Sequence, residues 1–193
     1  EPERLTAYEA GYRGQPASAF SLSVSTFYNV YDDLRSIEPS PATGFFPLTW
    51  GNSIEGHTVG VDAWADWQVT RWWRLSPGFT VMRERLHFEP GASALLGVSQ
   101  ETDDPSDQVS LQSSMTFPHR LTFDARVRYV GALPDPALAA YTELSAHLAW
   151  HATPRLELSL SGRNLLHERH LEFPAPDGEA IDRSAYAGVT WRF

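Results

Sequence analysis

Apolar and polar residues alternate with a period of two along most of this chain. Between residues 107 and 117, Val109, Leu111, Met115 and Phe117 alternate with Ser110, Gln112, Ser114 and Thr116. Residues 120–130 repeat the pattern, with Leu121, Phe123, Ala125, Val127 and Tyr129 against Thr122, Asp124, Arg126 and Arg128. Side chains of an extended backbone point to opposite faces in turn, so each stretch reads as a strand with one apolar face. Residues 5–13, 19–35, 57–69, 75–87, 141–151, 155–164 and 186–193 read the same way. The prediction is nine strands and no helix.

The connections alternate in length. Short ones fall at 14–18, 71–74, 118–119 and 152–154, and long ones at 36–56, 88–106, 131–140 and 165–184. The long ones are rich in Pro, Gly and acids. Short turns at one end and long loops at the other predict an antiparallel meander of the transmembrane barrel type. Aromatic residues gather at strand ends. Trp67, Trp72, Trp73, Phe117, Trp150, Trp191 and Phe193 lie toward the short turns. Tyr28, Tyr31, Trp50, Phe88, Tyr129, Tyr141 and Tyr186 lie toward the long loops. Two belts of amphipathic rings are expected where headgroups meet hydrocarbon.

Composition changes this picture little. Mean hydropathy is −0.33 and charged residues make up 20%. No apolar run is long enough for a membrane helix, but a barrel dilutes its apolar face with lumen residues and needs none. The formal net charge of −9 argues against a nucleic-acid partner. With no cysteine there is no thiolate chemistry and no disulfide framework. The first residues do not form the basic start of a signal peptide.

The last strand carries the most specific signal. Tyr186, Gly188, Trp191 and Phe193 resemble the C-terminal signature by which the barrel-assembly machinery of bacteria reads outer-membrane β-barrels. Other stretches resemble one family, the TonB-dependent outer-membrane receptors. They are Glu9-Ala10-Gly11-Tyr12-Arg13, Phe27-Tyr28-Asn29-Val30-Tyr31-Asp32-Asp33-Leu34, and Gly56 to Asp62, where Asp62 replaces the usual Glu. Arg128-Tyr129-Val130-Gly131, Tyr141 to Leu144 and Gly162-Arg163-Asn164-Leu165-Leu166 follow in family order, with His167 where an Asp is frequent. The resemblance implies that residues 1–193 are the C-terminal part of a 22-stranded barrel, with the plug domain and the N-terminal strands absent. It implies an outer-membrane location, uptake of a scarce nutrient such as a ferric siderophore, and coupling to the TonB complex through the missing plug. Outer-membrane lipid and the assembly machinery are the other partners implied. Two rival readings fit the alternation: a small outer-membrane barrel of the porin kind, and a soluble lipocalin-like binding protein.

Residues for chemistry are few. The metal-protease, phosphate-loop and nucleophile-elbow motifs are absent, and no cofactor or catalytic residue is expected. His147 and His151 share a strand face about 13 Å apart at ~3.3 Å per residue, too far to hold one ion. His167 and His170 share a loop and read as solvated side chains. Asp62 and Asp66, like Asp124, Arg126, Arg128, Glu157 and Arg163, read as lumen-wall residues. The candidate ligand-contacting rings are Phe45, Phe46, Trp50 and Phe173, in the long loops, where aromatics stack on a chelate.

Overall fold

A computed structural model describes residues 2–40, 44, 46–92, 94–98, 104–133, 137–172 and 180–193. Nine strands form one antiparallel sheet in chain order. They are β1 (Arg4–Ala17), β2 (Phe20–Pro39), β3 (Leu48–Thr70), β4 (Trp73–Phe88), β5 (Asp107–Phe117), β6 (Leu121–Val130), β7 (Tyr141–His151), β8 (Leu156–Arg163) and β11 (Ser184–Trp191). Two short strands, β9 (Arg169–Leu171) and β10 (Ala180–Asp182), pair within the last long connection. The sequence did not show them, since three residues are too few to display a period. A helical turn, Pro118–Arg120, joins β5 to β6.

The predicted alternation of connections holds, with one change. The connection placed at 36–56 shrinks to 40–47, because β2 and β3 continue pairing to Pro39 and Leu48. A bulge at Asp33, whose φ is +59°, and a second irregularity opposite Ser36 break the alternation there. Bulges shift side chains between faces, which hides a strand from a period-two search. The upper part of this hairpin carries its own small core. The segment at Leu95 and Leu96 bonds to Ile37 from the side that β1 leaves free, and Gly97 sits against Ile54, 1% exposed. Gly97 has φ +127°, and a Cβ there would lie 2.6 Å from Ile54 Cδ1, so both its conformation and its space require glycine.

Register assigns every strand residue to a face. On one face Leu22, Val24, Val59, Val61, Phe79, Val109, Leu111, Val127, Leu148, Leu158, Leu160, Val189 and Trp191 lie side by side. The opposite face carries Ser23, Ser25, Asp62, Thr80, Ser110, Arg126, Ser145, Ser161 and Thr190. The apolar face has no protein against it: Val109 is 51% exposed, Leu160 55% and Val189 73%. The described residues hold no second layer that would bury these side chains, as a lipocalin or sandwich requires. Left in water, a contiguous surface of this size is prohibitive; in hydrocarbon it is solvated. The outward positions from Val59 to Val69 span about 33 Å of strand, or about 25 Å of height at the usual barrel tilt, which matches a bilayer core.

The belts are corrected in part. At the short-turn end Trp67, Trp73, Phe117, Trp150 and Trp191 share the outward face, and Trp72 lies 6.1 Å from Trp73 and 5.6 Å from Phe117. At the long-loop end Tyr28, Tyr129 and Trp50 of those predicted face outward, joined by Tyr8, 6.5 Å from Tyr28. Tyr31, Phe88, Tyr141 and Tyr186 lie on the inward face, opposite Gly56, Ile54, Val130 and Ser161. Their nearness to a strand end was read correctly from the sequence, but their parity places them inside.

The sheet is open. β1 pairs only with β2 and β11 only with β8 among the described residues, so the two ends do not meet. A small closed barrel is therefore not what these strands form. The assignment of faces is directly testable. Leu111→Arg, outward and mid-strand, is expected to destabilise the membrane-inserted protein by about 2–4 kcal/mol, whereas the adjacent inward Gln112→Arg leaves it within about 1 kcal/mol. Urea unfolding in lipid vesicles measures both, and equal effects would refute the assignment.

Candidate functional site

The inward face is a polar wall on which several carboxylates accept from hydroxyls directly across the rung. Thr80 Oγ1 donates to Asp62 at 2.7 Å and Ser76 Oγ to Asp66 at 2.6 Å. These two acids are thus hydrogen-bonded wall residues, as the sequence suggested, each with its own hydroxyl donor. His147 Nδ1 meets Ser161 Oγ at 2.8 Å, and His151 Nε2 meets Glu157 at 2.9 Å, so the two histidines have separate partners. Arg13 lies over the Trp64 ring at 5.4 Å. Two recesses open along this wall. One of about 450 Å³ lies between Asp62, Trp64, Thr80, Arg126 and Arg128, and one of about 360 Å³ lies between Asp124, Arg126, His147, Ser161 and Arg163.

Toward the long loops the wall ends in a charged cluster. Arg128 Nη2 donates to Glu143 at 3.0 Å across the β6–β7 rung and to Glu172 at 2.6 Å from the last loop. Its guanidinium lies 5.4 Å from the Tyr141 ring, and the imidazole of His170 stacks on that ring at 4.4 Å. His170 Nε2 also meets Glu172 at 3.1 Å, while its buried Nδ1 has no partner among the described residues.

The backbone brings Glu172 and His170 here by a defined route. β8 is followed by Asn164, fully buried with φ +51°, a conformation that asparagine tolerates better than most residues. Its Nδ2 donates to the Ile181 carbonyl at 2.8 Å, tying the start of the loop to β10. Arg183 Nε closes the other side on the His167 carbonyl at 3.1 Å. The β9–β10 hairpin therefore leans over the wall, and a cleft of about 510 Å³ separates it from residues 137–141.

The candidate residues scatter. Trp50 lies on β3, opposite Ile37, with Arg35 4.8 Å above its ring. This is the side of the hairpin away from Ser36, Glu38 and Gly51, and it continues the outward face, so the ring does not point into the lumen. Phe46 is exposed just before β3. Phe45 and Phe173 lie outside the described residues. In the terminal signature, Trp191 pairs with Leu156 on the outward face, and Phe193 continues that parity beyond β11. Tyr186 and Gly188 lie inward opposite Ser161 and Ser159. His170, expected to be solvated, is instead buried against the Tyr141 ring, and no metal-holding group of three occurs among the described residues. The Arg128 cluster was missed. Arg128 and Glu143 had the right parity, but their pairing needs the register, and the approach of Glu172 depends on the hidden β9–β10 hairpin.

The cluster predicts a pH response. Burial alone would raise the Glu172 carboxyl, but the hydrogen bond from His170 and the charge and hydrogen bond of Arg128 outweigh it and hold the carboxyl below its ordinary value. A depressed carboxyl contributes stability above its unfolded value and loses it as pH falls through its folded value. Hydrogen exchange at β9 and β10 is therefore expected to accelerate once the pH drops below the ordinary carboxylate range. Glu172→Gln is expected to flatten that dependence, and an unchanged profile would show that the contact does not hold the hairpin.

With this geometry in hand, similarity to other proteins becomes informative. Residues 1–165 match the family model described as TonB dependent receptor-like, beta-barrel. No curated protein matches the chain in sequence. Among solved structures, the FrpB iron transporter of Neisseria meningitidis superposes with a TM-score of 0.76 at 14% identity, covering 99% of this chain and 31% of that one. The siderophore receptor PiuA of Acinetobacter baumannii gives 0.75 at 18% identity, covering 97% and 28%. The pyoverdine outer membrane receptor FpvA of Pseudomonas aeruginosa, bound to pyoverdine, gives 0.73 at 17% identity, covering 100% and 30%. The chain thus spans about a third of the length of these structures. The family consists of outer-membrane transport receptors, not enzymes. By its sequence match and its open nine-stranded sheet, this chain belongs to the TonB-dependent receptor β-barrel family.

Proposed function

We propose that these strands form the C-terminal part of the barrel of a receptor that imports an anionic metal chelate, a ferric siderophore or a close chemical relative. The observation that carries this reading is the inward face at its loop end. There Arg126 and Arg128 line one recess with Trp64, and Tyr141 flanks Arg128. Guanidinium groups beside aromatic rings suit a ligand that is both negatively charged and flat in part. Relatives of like fold are described as an iron transporter, a siderophore receptor and a pyoverdine receptor, which supports the cargo class without naming the cargo.

The whole protein would then hold further strands to complete the barrel and a plug through which the TonB complex acts. Both exposed edges, β1 and β11, favour that arrangement, because hydrocarbon offers no water to backbone groups left without a partner. The barrel-assembly machinery would read β11, where the Tyr186, Gly188, Trp191 and Phe193 signature lies. The contribution of these strands is a wall and a rim. They bind and guide, and no bond is made or broken on them.

The test uses the full-length protein in detergent, titrated with a panel of ferric siderophores, haem and cobalamin. Saturable binding of an anionic ferric chelate is expected, weakened about tenfold by Arg128→Ala, which corresponds to ~1.4 kcal/mol. Binding of cobalamin alone, or of an uncharged solute alone, would overturn the proposed cargo while leaving the family membership intact.

A further inference from the structure

The outward face changes character abruptly on β4. Its outward positions run Phe79, Val81, Arg83, Arg85, His87, so two apolar residues are followed by three basic ones with no transition. The inward positions over the same stretch are Met82, Glu84, Leu86 and Phe88, so the basic residues are confined to the side that faces lipid below. On β3 the outward His57 stands directly opposite Arg85, next to the ring of Tyr28 at 5.6 Å. The rung at which the change occurs pairs Val59 with Arg83, immediately above the rung of Val61 and Val81. That rung is also the level of Tyr28, which pairs with Val59 from the other side and carries Tyr8 beside it. Arginine on a lipid face costs about 2–4 kcal/mol at the midplane and almost nothing at the interface. The basic positions therefore mark the headgroup level of the leaflet on the long-loop side.

Neighbouring groups do not use up this charge. Arg83 Nη1 donates to the carbonyls of Met82 at 2.7 Å and Ser106 at 3.2 Å, which orients the guanidinium and leaves its other N–H groups free to act. Arg85 is exposed, and no hydrogen bond or ion pair engages its side chain among the described residues. Two carboxylates lie near on the same face. Glu55 is taken by His87 at 3.1 Å, and Asp107 accepts from Ser106 Oγ at 2.8 Å.

We infer that Arg83 and Arg85, with His57 beside them, form a clamp for the phosphate of a lipid headgroup in the leaflet on the long-loop side. The inference rests on the membrane placement of the apolar face. A planar guanidinium matches a phosphate with paired hydrogen bonds, and an arginine near an anionic membrane surface contributes roughly 1 kcal/mol, about a fivefold change in binding. The ligand is a lipid and not free phosphate, because the apolar face directly below the clamp is where its acyl chains would lie.

Native mass spectrometry of the full-length receptor, released from detergent and titrated with phosphatidylglycerol or phosphatidylcholine, tests the clamp. The first phosphatidylglycerol is expected to bind about 30-fold more tightly than phosphatidylcholine. Arg83→Gln/Arg85→Gln brings the two within about threefold, Arg83→Lys/Arg85→Lys keeps most of the preference, and Arg74→Gln on the inward face keeps all of it. Equal binding of the two lipids by the unmodified protein, a preference that survives the double glutamine variant, or its loss in millimolar inorganic phosphate would each overturn the inference. A protein that retains no lipid of either kind and stays soluble without detergent would instead overturn the membrane placement. Unboiled gel mobility checks that each variant is folded.

Discussion

The constraint on which everything else depends is the hydrogen-bonding demand of a backbone placed in hydrocarbon. Water cannot satisfy an amide or carbonyl there, so each strand must be paired along both edges. This explains why β1 to β8 and β11 pair strictly with sequence neighbours in one sheet, with no crossover. Irregularities are confined to the margins. The bulge at Asp33 and the break near Ser36 lie in the upper hairpin of β2 and β3, above the apolar band. The short strands β9 and β10 lie in a loop. Where lipid surrounds the sheet between Val59 and Trp67, the ladder to β4 runs in a single register.

Once pairing is obligatory, each residue has only two places to point. Most of what is distinctive in this structure follows from that parity. It sorts Val109 from Ser110 and Leu148 from His147. It also separates residues that a search for strand ends treats alike. Tyr28 and Tyr31 lie three positions apart; one meets lipid beside His57, and the other reaches Thr58 on the lumen side.

This is why so much of the fold was legible in the sequence, and why the legibility stops where it does. Nine strands, their order and the short and long ends could all be read from alternation, because the pairing partner of each is simply the next one. Where a bulge resets the parity, as at Asp33, alternation fails and a strand looks like a loop. The rim cluster fails for a different reason. Arg128, Glu143, Tyr141, His170 and Glu172 come together through cross-strand register and a folded-back hairpin, and neither leaves a local mark. Trp50, expected in a loop, lies in β3. Its partner, Arg35, and its direction follow from a register that passes through two irregularities.

Few residues in the described sheet are buried, and most of those are small or lie at the margins, such as Ala63, Ala65, Ala149 and Ile54. A globular core is a jigsaw in which each side chain must fit its neighbours, and that fit restrains change over time. Lipid chains are fluid and refill whatever shape an outward side chain presents. A leucine, valine or alanine at position 111 or 160 fits without clash or cavity and differs only in transfer free energy, about 0.8 kcal/mol per CH2. Drift is then limited by parity and not by shape. Structures that superpose with TM-scores of 0.73–0.76 can therefore share only 14–18% of their residues with this chain.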